Sequence, residues 1–134
     1  MPQENLELVR SIVAFWERGD MSLSKWAERA HPDIEITVVG GPEPSSHRGL
    51  GDATPDVDAF LSLWDDYRVE AEEYRELDDE RVLVLTHQSG RGRGSGVTIG
   101  AHRASLFHIR DGKVTRRVNY WDRDRALADL GLKE

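Results

Sequence analysis

The sequence contains no cysteine, which excludes a disulfide framework, a thiolate nucleophile and a cysteine-based zinc site. It has no apolar run approaching the roughly 20 residues that a membrane-spanning helix needs. The first residues, Met-Pro-Gln-Glu-Asn, have neither the basic start nor the apolar stretch of a secretory signal. We therefore expect a cytoplasmic protein that does not associate with membranes.

Positive charge is also scarce, since 18 lysines and arginines face 25 acidic residues and the formal net charge is -7. A chain of this charge repels phosphate backbones, which argues against a nucleic-acid partner. One basic tract, Arg91-Gly-Arg-Gly-Ser-Gly96, resembles a short RNA-binding Arg-Gly segment. Its glycines are equally typical of a turn between two strands, and we interpret it as a hairpin turn.

Motifs for metal and cofactor binding are absent. The histidines show neither the i, i+4 helical spacing nor the His-x-His spacing that metals favour; they are His31, His47, His87, His102 and His108. There is no P-loop, no dinucleotide fingerprint and no Gly-x-Ser-x-Gly sequence. We therefore expect neither a metal site nor a cofactor.

The length of 134 residues suits a single domain spanning 1–134. Hydrophobic periodicity and turn residues predict helices over 5–18, from Ser22 to Pro32, after the N-cap Thr54 and after the N-cap Asp122. They predict strands over 33–39, 67–74, 81–88, 97–109 and 113–121, and a turn-rich loop over 40–51. This order, ααβαββββα, gathers most helices before an antiparallel sheet and predicts an α+β fold.

The last two predicted strands carry polar residues on faces where apolar ones would suffice. A three-residue Arg-Asp-Gly loop at 110–112 would place Arg103 opposite Asn119 and Ser105 opposite Arg117 on one face. Because these four side chains are polar and share a face, they indicate a polar pocket.

The turn also allows a second register. A two-residue Asp-Gly loop would slip the pairing by one position and place Ser105 opposite Val118. Trp121 shares the polar face in the first register. The pattern of residues alone leaves both registers open.

Several short motifs occur in a characteristic order and spacing: Glu17-Arg-Gly-Asp20, His31-Pro-Asp-Ile-Glu35, the turn Gly92-Arg-Gly-Ser-Gly96, Asp111-Gly-Lys-Val114, Tyr120-Trp-Asp122 and Arg125-Ala-Leu127. In these the chain resembles the SnoaL-like branch of the NTF2-like superfamily, which includes ketosteroid isomerases and polyketide cyclases. The resemblance implies a curved sheet wrapped around a long N-terminal helix, leaving a cone-shaped cavity. It also implies a homodimer formed through the outer sheet face, here His102, Ala104, Leu106, Val118 and Tyr120.

Comparison with the family's known catalytic residues argues against two of its activities, steroid isomerisation and epoxide hydrolysis. Where steroid isomerases carry their proton-shuttling aspartate, oxyanion-stabilising tyrosine and protonated aspartic acid, this chain has Val38, Ile12 and Ser105. Without a base and a stabiliser for the enolate, steroid isomerisation is excluded. Arg103 keeps the position of the arginine of limonene-epoxide-hydrolase-like relatives, but no carboxylate follows at the matching position, which argues against that chemistry too.

The resemblance supports the first hairpin register. It assigns to the pocket face Ala101, Arg103, Ser105, Arg117, Asn119 and Trp121. The remaining lining is expected from Ile12, Trp16, Ile36, Val38, Phe60, Thr86 and Gln88, with an apolar and aromatic mouth. The orientation of His87 depends on strand register, and an inward-facing His87 would be the best general base at neutral pH.

Two arginines in a pocket of low dielectric are costly unless they are paired. Arg103 and Arg117 therefore predict an acidic or strongly polar ligand. The alternative is that they pair with Glu35, Asp122 or another carboxylate, or lie at a wet rim.

The expected function is the binding of a small organic molecule, and the residues leave open whether catalysis follows. In an acid/base enzyme, Arg103 and Arg117 would stabilise negative charge, while Ser105 and Asn119 would orient the substrate. The alternative is a non-catalytic dimeric ligand-binding or protein-interaction module.

Overall fold

The computed structural model describes residues 2–41 and 44–132. Its helices are α1 (Pro2–Glu17), a 3₁₀ helix (Leu23–Arg29), α2 (Leu50–Leu61) and α3 (Arg123–Asp129). Its strands are β1 (Ala30–Val39), β2 (Ser45–Arg48), β3 (Trp64–Asp78), β4 (Arg81–Gly92), β5 (Thr98–Arg110) and β6 (Lys113–Tyr120). In this part of the chain no helix is long and apolar enough to cross a bilayer.

The strands form one six-stranded sheet in the order β2-β1-β6-β5-β4-β3. All neighbouring pairs are antiparallel except β1 and β6, which run parallel. The α+β class is thus confirmed, whereas the expectation of a purely antiparallel sheet is wrong. A parallel pair needs a long connection, and here the whole segment from β2 to β5 supplies it.

The inner face of the sheet packs against α1. Apolar residues recur at helical spacing along α1, and Val9, Ile12, Val13 and Trp16 are all buried. They join the inward-facing residues of the sheet in the larger of two hydrophobic clusters. The sequence therefore predicts correctly that the sheet packs on the N-terminal helix.

Part of the outer face of the sheet is covered by α3. Asp122 caps this helix as expected, its side chain accepting from the Asp124 amide at 3.2 Å. Ala126 and Leu127 of α3 are buried in the second hydrophobic cluster together with outer-face residues of β5 and β6. The proposed dimer surface is accordingly wrong in four of its five residues, because α3 already buries Ala104, Leu106, Val118 and Tyr120 within the chain, and the side chain of His102 is exposed.

The elements around β1, β2 and α2 differ most from the sequence prediction. Pro32 does not end a helix but lies within β1, two residues after the 3₁₀ helix gives way to extended backbone. The loop predicted over 40–51 contains the short strand β2, which pairs with β1. Helix α2 begins at Leu50 rather than after Thr54, whose hydroxyl donates to the Leu50 carbonyl at 2.7 Å inside the helix.

The hairpin between β5 and β6 follows the second predicted register only next to its turn, and beyond the turn it follows neither prediction. Its turn is the two-residue Asp111-Gly112, both with positive φ, as a type I′ turn requires. A β-bulge then leaves Thr115 unpaired, and beyond it Ser105 lies opposite Asn119. The predicted pairs Arg103–Asn119 and Ser105–Arg117 are therefore wrong by two positions.

The bulge determines which face of the sheet the polar side chains of β6 occupy. A slip by one residue turns every side chain to the other face, whereas a shift by two leaves the faces unchanged. The extra residue at Thr115 restores the facing that the two-residue turn would have reversed. The polar side chains therefore share the inner face, as predicted, although their partners differ.

Candidate functional site

Polar side chains are concentrated on the inner face of the three strands β4, β5 and β6. The buried polar or charged residues in the described part of the chain are Thr86, Gln88, Arg103, Ser105 and Arg117. Strand alternation explains the placement, because each shares its face with inward apolar residues of the same strand. The structure thus brings these predicted pocket residues together.

Arg117 is the most deeply buried cation of this group. Its guanidinium lies 4.4 Å from the centre of the Trp16 ring on α1, and its Nη2 donates to the Ser105 hydroxyl at 3.5 Å. Burial lowers the pKa of Arg117 to about 10. The site thus holds a positive charge that the protein itself stabilises only weakly.

Arg103 lies nearer the edge of the same face. Its guanidinium stacks over the Trp121 ring at 3.6 Å, and the residue is 6% exposed. Burial lowers its pKa, an effect that a coulombic interaction with Tyr67 opposes. Two guanidinium groups, each stacked on a different tryptophan ring, therefore lie on one face of the sheet.

Neither arginine pairs with a carboxylate among the described residues. Glu35 instead lies on the outer face, 4.0 Å from Arg116, and Asp122 caps α3. The alternative in which Arg103 and Arg117 pair with Glu35 or Asp122 is therefore wrong, because strand alternation places Glu35 on the opposite face. Burial likewise excludes a wet rim for Arg117.

Tyr67 is a site residue that the sequence reasoning missed. Its hydroxyl donates to the Gln88 side-chain carbonyl, and the Gln88 amide donates to the Thr86 hydroxyl at 3.2 Å. Burial raises the pKa of Tyr67, while coulombic interactions with Arg103 and Arg117 lower it. The phenol hydroxyl therefore stands within the electrostatic reach of both cations.

An aromatic belt adjoins these polar groups, formed by Phe60, Trp64, Tyr67 and Trp121. Phe60 contacts each of the other three rings, at centroid distances of 5.4 to 6.1 Å. Gly90 leaves the space for two of them, since a Cβ there would lie 3.0 Å from Tyr67 and 3.1 Å from Trp64. Gly41 in the loop after β1 also makes room for the belt, since a Cβ there would lie 2.6 Å from the Trp121 ring.

The other predicted lining residues fall into two groups. Ile12, Trp16 and Ile36 are buried in the core cluster. Val38 and Ala101 are half-buried at inward positions of their strands. All of the predicted lining residues thus lie on the inner side of the fold.

His87 lies on the outer face, which removes it as the predicted general base. It occupies the position between the inward Thr86 and Gln88, and its ring lies 5.1 Å from that of His102. His102 approaches the Glu72 carboxylate at 3.3 Å. No group of three or more metal-binding side chains occurs in the described residues.

Several buried polar atoms of the inner face have no hydrogen-bond partner among the described residues. They are the Nε atoms of Arg103 and Arg117, the Oδ1 atom of Asn119 and the Nε1 atom of Trp64. Buried polar atoms are normally satisfied. Donors outnumber acceptors in this set, which suits a ligand with acceptor oxygens.

Fold and site together define a class of protein: an α+β domain whose sheet packs on its N-terminal helix and carries polar, cationic groups on the face toward that helix. The family model for the SnoaL-like domain matches residues 9–117. The chain therefore belongs to the SnoaL-like family, and the resemblance of its sequence motifs is confirmed. No curated protein matches the chain.

Solved structures share this NTF2-like, ketosteroid isomerase-like fold. TerC, co-crystallised with polyporic acid, is 21% identical, with a TM-score of 0.75 over 95% of this chain and 97% of its own. An NTF2-like protein from Burkholderia thailandensis is 21% identical, with a TM-score of 0.75 over 96% of both chains. A hypothetical protein from Catenulispora acidiphila with a ketosteroid isomerase-like fold, in complex with trimethylamine, is 15% identical, with a TM-score of 0.72 over 95% of this chain and 94% of its own.

Proposed function

We propose that this SnoaL-like domain binds a small organic anion on the inner face of its sheet, with the negative group held by Arg103 and Arg117. The observation that carries the proposal is the burial of both guanidinium groups without a carboxylate partner among the described residues. A buried charge without a counter-ion is costly to the fold. An anionic ligand would supply the missing counter-charge.

The charge of the site favours an acid over other small molecules. The whole chain carries a formal charge of -7, yet the inner face concentrates two cations. Structural relatives were crystallised with an acid in one case and an amine in another. Because two guanidinium groups repel a cation, the acid is the better guide to the ligand of this chain.

The aromatic belt defines the second part of the ligand. Rings pack well against planar apolar groups, and the belt lies beside Arg103, which itself stacks on Trp121. We infer an aromatic or otherwise planar acid. Ser105 and Asn119 would orient its oxygens through hydrogen bonds.

Binding is better supported than proton abstraction. The buried polar side chains of the described residues include no carboxylate and no imidazole, and burial raises the pKa of Tyr67, which opposes its use as a base. In a catalytic version, Arg103 and Arg117 would stabilise negative charge that develops on the substrate. The proton acceptor would then have to come from the substrate or from water.

The test compares benzoate with benzamide, which has the same shape but no charge, by isothermal titration calorimetry. We expect benzoate to bind at least about tenfold more tightly, because hydrogen bonds to charged groups are the stronger ones. Arg117→Met and Arg103→Met should each weaken benzoate binding about tenfold or more. They should change benzamide binding much less.

Arg116→Met is the matched control. Arg116 neighbours Arg117 on β6 but faces outward and is about half exposed. Its substitution should leave benzoate binding unchanged. Equal binding of benzoate and benzamide, or benzoate binding that is indifferent to Arg117→Met, would overturn the proposal.

A further inference from the structure

Large apolar side chains are exposed at one corner of the described structure. They are Leu63, Val97 and Ile99, which are 60%, 58% and 40% exposed. Backbone hydrogen bonds bring their segments together: the Gly92 amide donates to the Val97 carbonyl, and the Arg93 amide donates to the Leu63 carbonyl, both at 2.8 Å. We call these three residues the apolar rim.

The apolar rim is continuous with the aromatic belt. Ile99 pairs with Gly90 across β4 and β5, and paired residues present their side chains on the same face of a sheet. The face of Gly90 is the one against which the Trp64 and Tyr67 rings lie. Ile99 therefore extends the surface that begins with these rings.

Exposure along β5 identifies the rim as the open end of the inner face. The inward residues of this strand change from fully buried at Phe107 and Ser105 to 6% exposed at Arg103, half-buried at Ala101 and 40% exposed at Ile99. The inner face is thus closed at its Phe107 end and open at its Ile99 end. A ligand whose charge sits between Arg103 and Arg117 would emerge past Ile99.

We propose that the ligand is amphipathic, with an apolar tail that leaves the inner face across Leu63, Val97 and Ile99. This inference rests on the proposed function, since it takes the acidic group to lie at the two arginines. Single exposed apolar side chains are normal on a protein surface, whereas a contiguous group of them marks a contact surface. Because the apolar rim is continuous with the site, we infer that the tail of the bound acid occupies it.

The experiment measures the affinities of benzoate, 4-butylbenzoate and 4-octylbenzoate for the whole chain by calorimetry. We expect 4-octylbenzoate to bind at least about thirtyfold more tightly than benzoate, because burial of about three methylene groups is enough for that factor. In the double variant Val97→Ser, Ile99→Ser this advantage should fall to about fivefold or less. Benzoate itself should bind the variant within about twofold of the original chain.

The control is Thr98→Ser, which lies between the two rim residues and, by strand alternation, faces the opposite side. It should leave all three affinities unchanged. If 4-octylbenzoate still binds the double variant at least about thirtyfold more tightly than benzoate, the apolar rim does not hold the tail. The proposal of an anion site would be unaffected by that result. Loss of benzoate binding in Arg117→Met together with that result confirms that only the rim has failed.

The other candidate occupant of the apolar rim is a second copy of the chain, and light scattering tests it by measuring the molecular mass in solution. If the double variant converts a dimer to a monomer without changing the octyl advantage, the rim is an interface between copies and the proposal is wrong. If benzoate and its alkyl derivatives bind with affinities that do not respond to Arg117→Met, the proposed function itself fails. An unchanged mass with a reduced octyl advantage supports the tail.

Discussion

Arg117→Met should stabilise the protein while impairing its binding of anions. Burial lowers the pKa of Arg117 to about 10, which means that it costs the charged form about 3 kcal/mol at neutral pH. Because the pKa is lower in the folded state, this cost is present at every pH below about 10. Methionine has a similar length and no charge, so it removes that cost.

The substitution also removes favourable contacts. The guanidinium loses its stacking on Trp16, which contributes about 1 to 2 kcal/mol in a desolvated setting. The hydrogen bond to Ser105 is long, at 3.5 Å, and adds little. We therefore expect the free energy of unfolding to rise by about 1 kcal/mol and the melting temperature to rise by about 3 °C.

Urea denaturation followed by tryptophan fluorescence measures the change. Arg116→Met, on the outer face, should alter the free energy of unfolding by less than about 0.5 kcal/mol. A loss of more than about 2 kcal/mol in Arg117→Met would refute the reasoning. It would mean that Arg117 has a partner in the folded state and serves the structure rather than a ligand.

Two further predictions concern the surroundings of the site. Both ring nitrogens of His47 hydrogen-bond to carboxylates, those of Asp52 at 2.8 Å and Asp56 at 2.6 Å, which raises the pKa of His47. The resulting stability, about 0.2 to 1 kcal/mol per exposed pair, should be present below pH 6.5 and lost as the pH rises through the raised value. His47→Gln should remove this part of the pH dependence in urea titrations at about pH 6 and pH 9; an unchanged difference contradicts it. Gly41→Ala should lower the melting temperature, because its Cβ would lie 2.6 Å from the Trp121 ring at a φ of +76°; calorimetry showing full stability would contradict that packing.

Much of the local structure followed from the sequence because its causes are local. The apolar stripe of α1, the Asp122 cap and the alternation of β5 and β6 depend on residues a few positions apart. The shared facing of Arg103 and Arg117 did not follow from alternation, which left two turn registers open; the resemblance to the SnoaL-like family favoured it. The pairing partners of the two arginines were not predictable either, because the bulge at Thr115 has no distinctive signal in the sequence.

Tyr67 and His87 show the limit of the sequence reasoning most clearly. Alternation with Val69 and Ala71 places Tyr67 on the apolar face of its strand, which gives it no role in the site, whereas the facing of His87 depends on a strand register that the sequence leaves open. The pairing of β3 with β4 placed Tyr67 beside Gln88 and turned His87 outward. A tyrosine among charged residues on a strand gave no reason to prefer it as a site residue.

The sequence by itself determined the α+β class and the family, because these depend on short-range periodicity and motif order. The shared facing of the polar side chains required the bulge at Thr115 as well. The tertiary structure decided the parallel pairing of β1 with β6, the burial of the outer face by α3 and the distance of both arginines from any carboxylate among the described residues. These depend on contacts between residues far apart in the chain. A composition with more acidic than basic residues does not reveal that two arginines are buried without an ion pair to any carboxylate of the described residues.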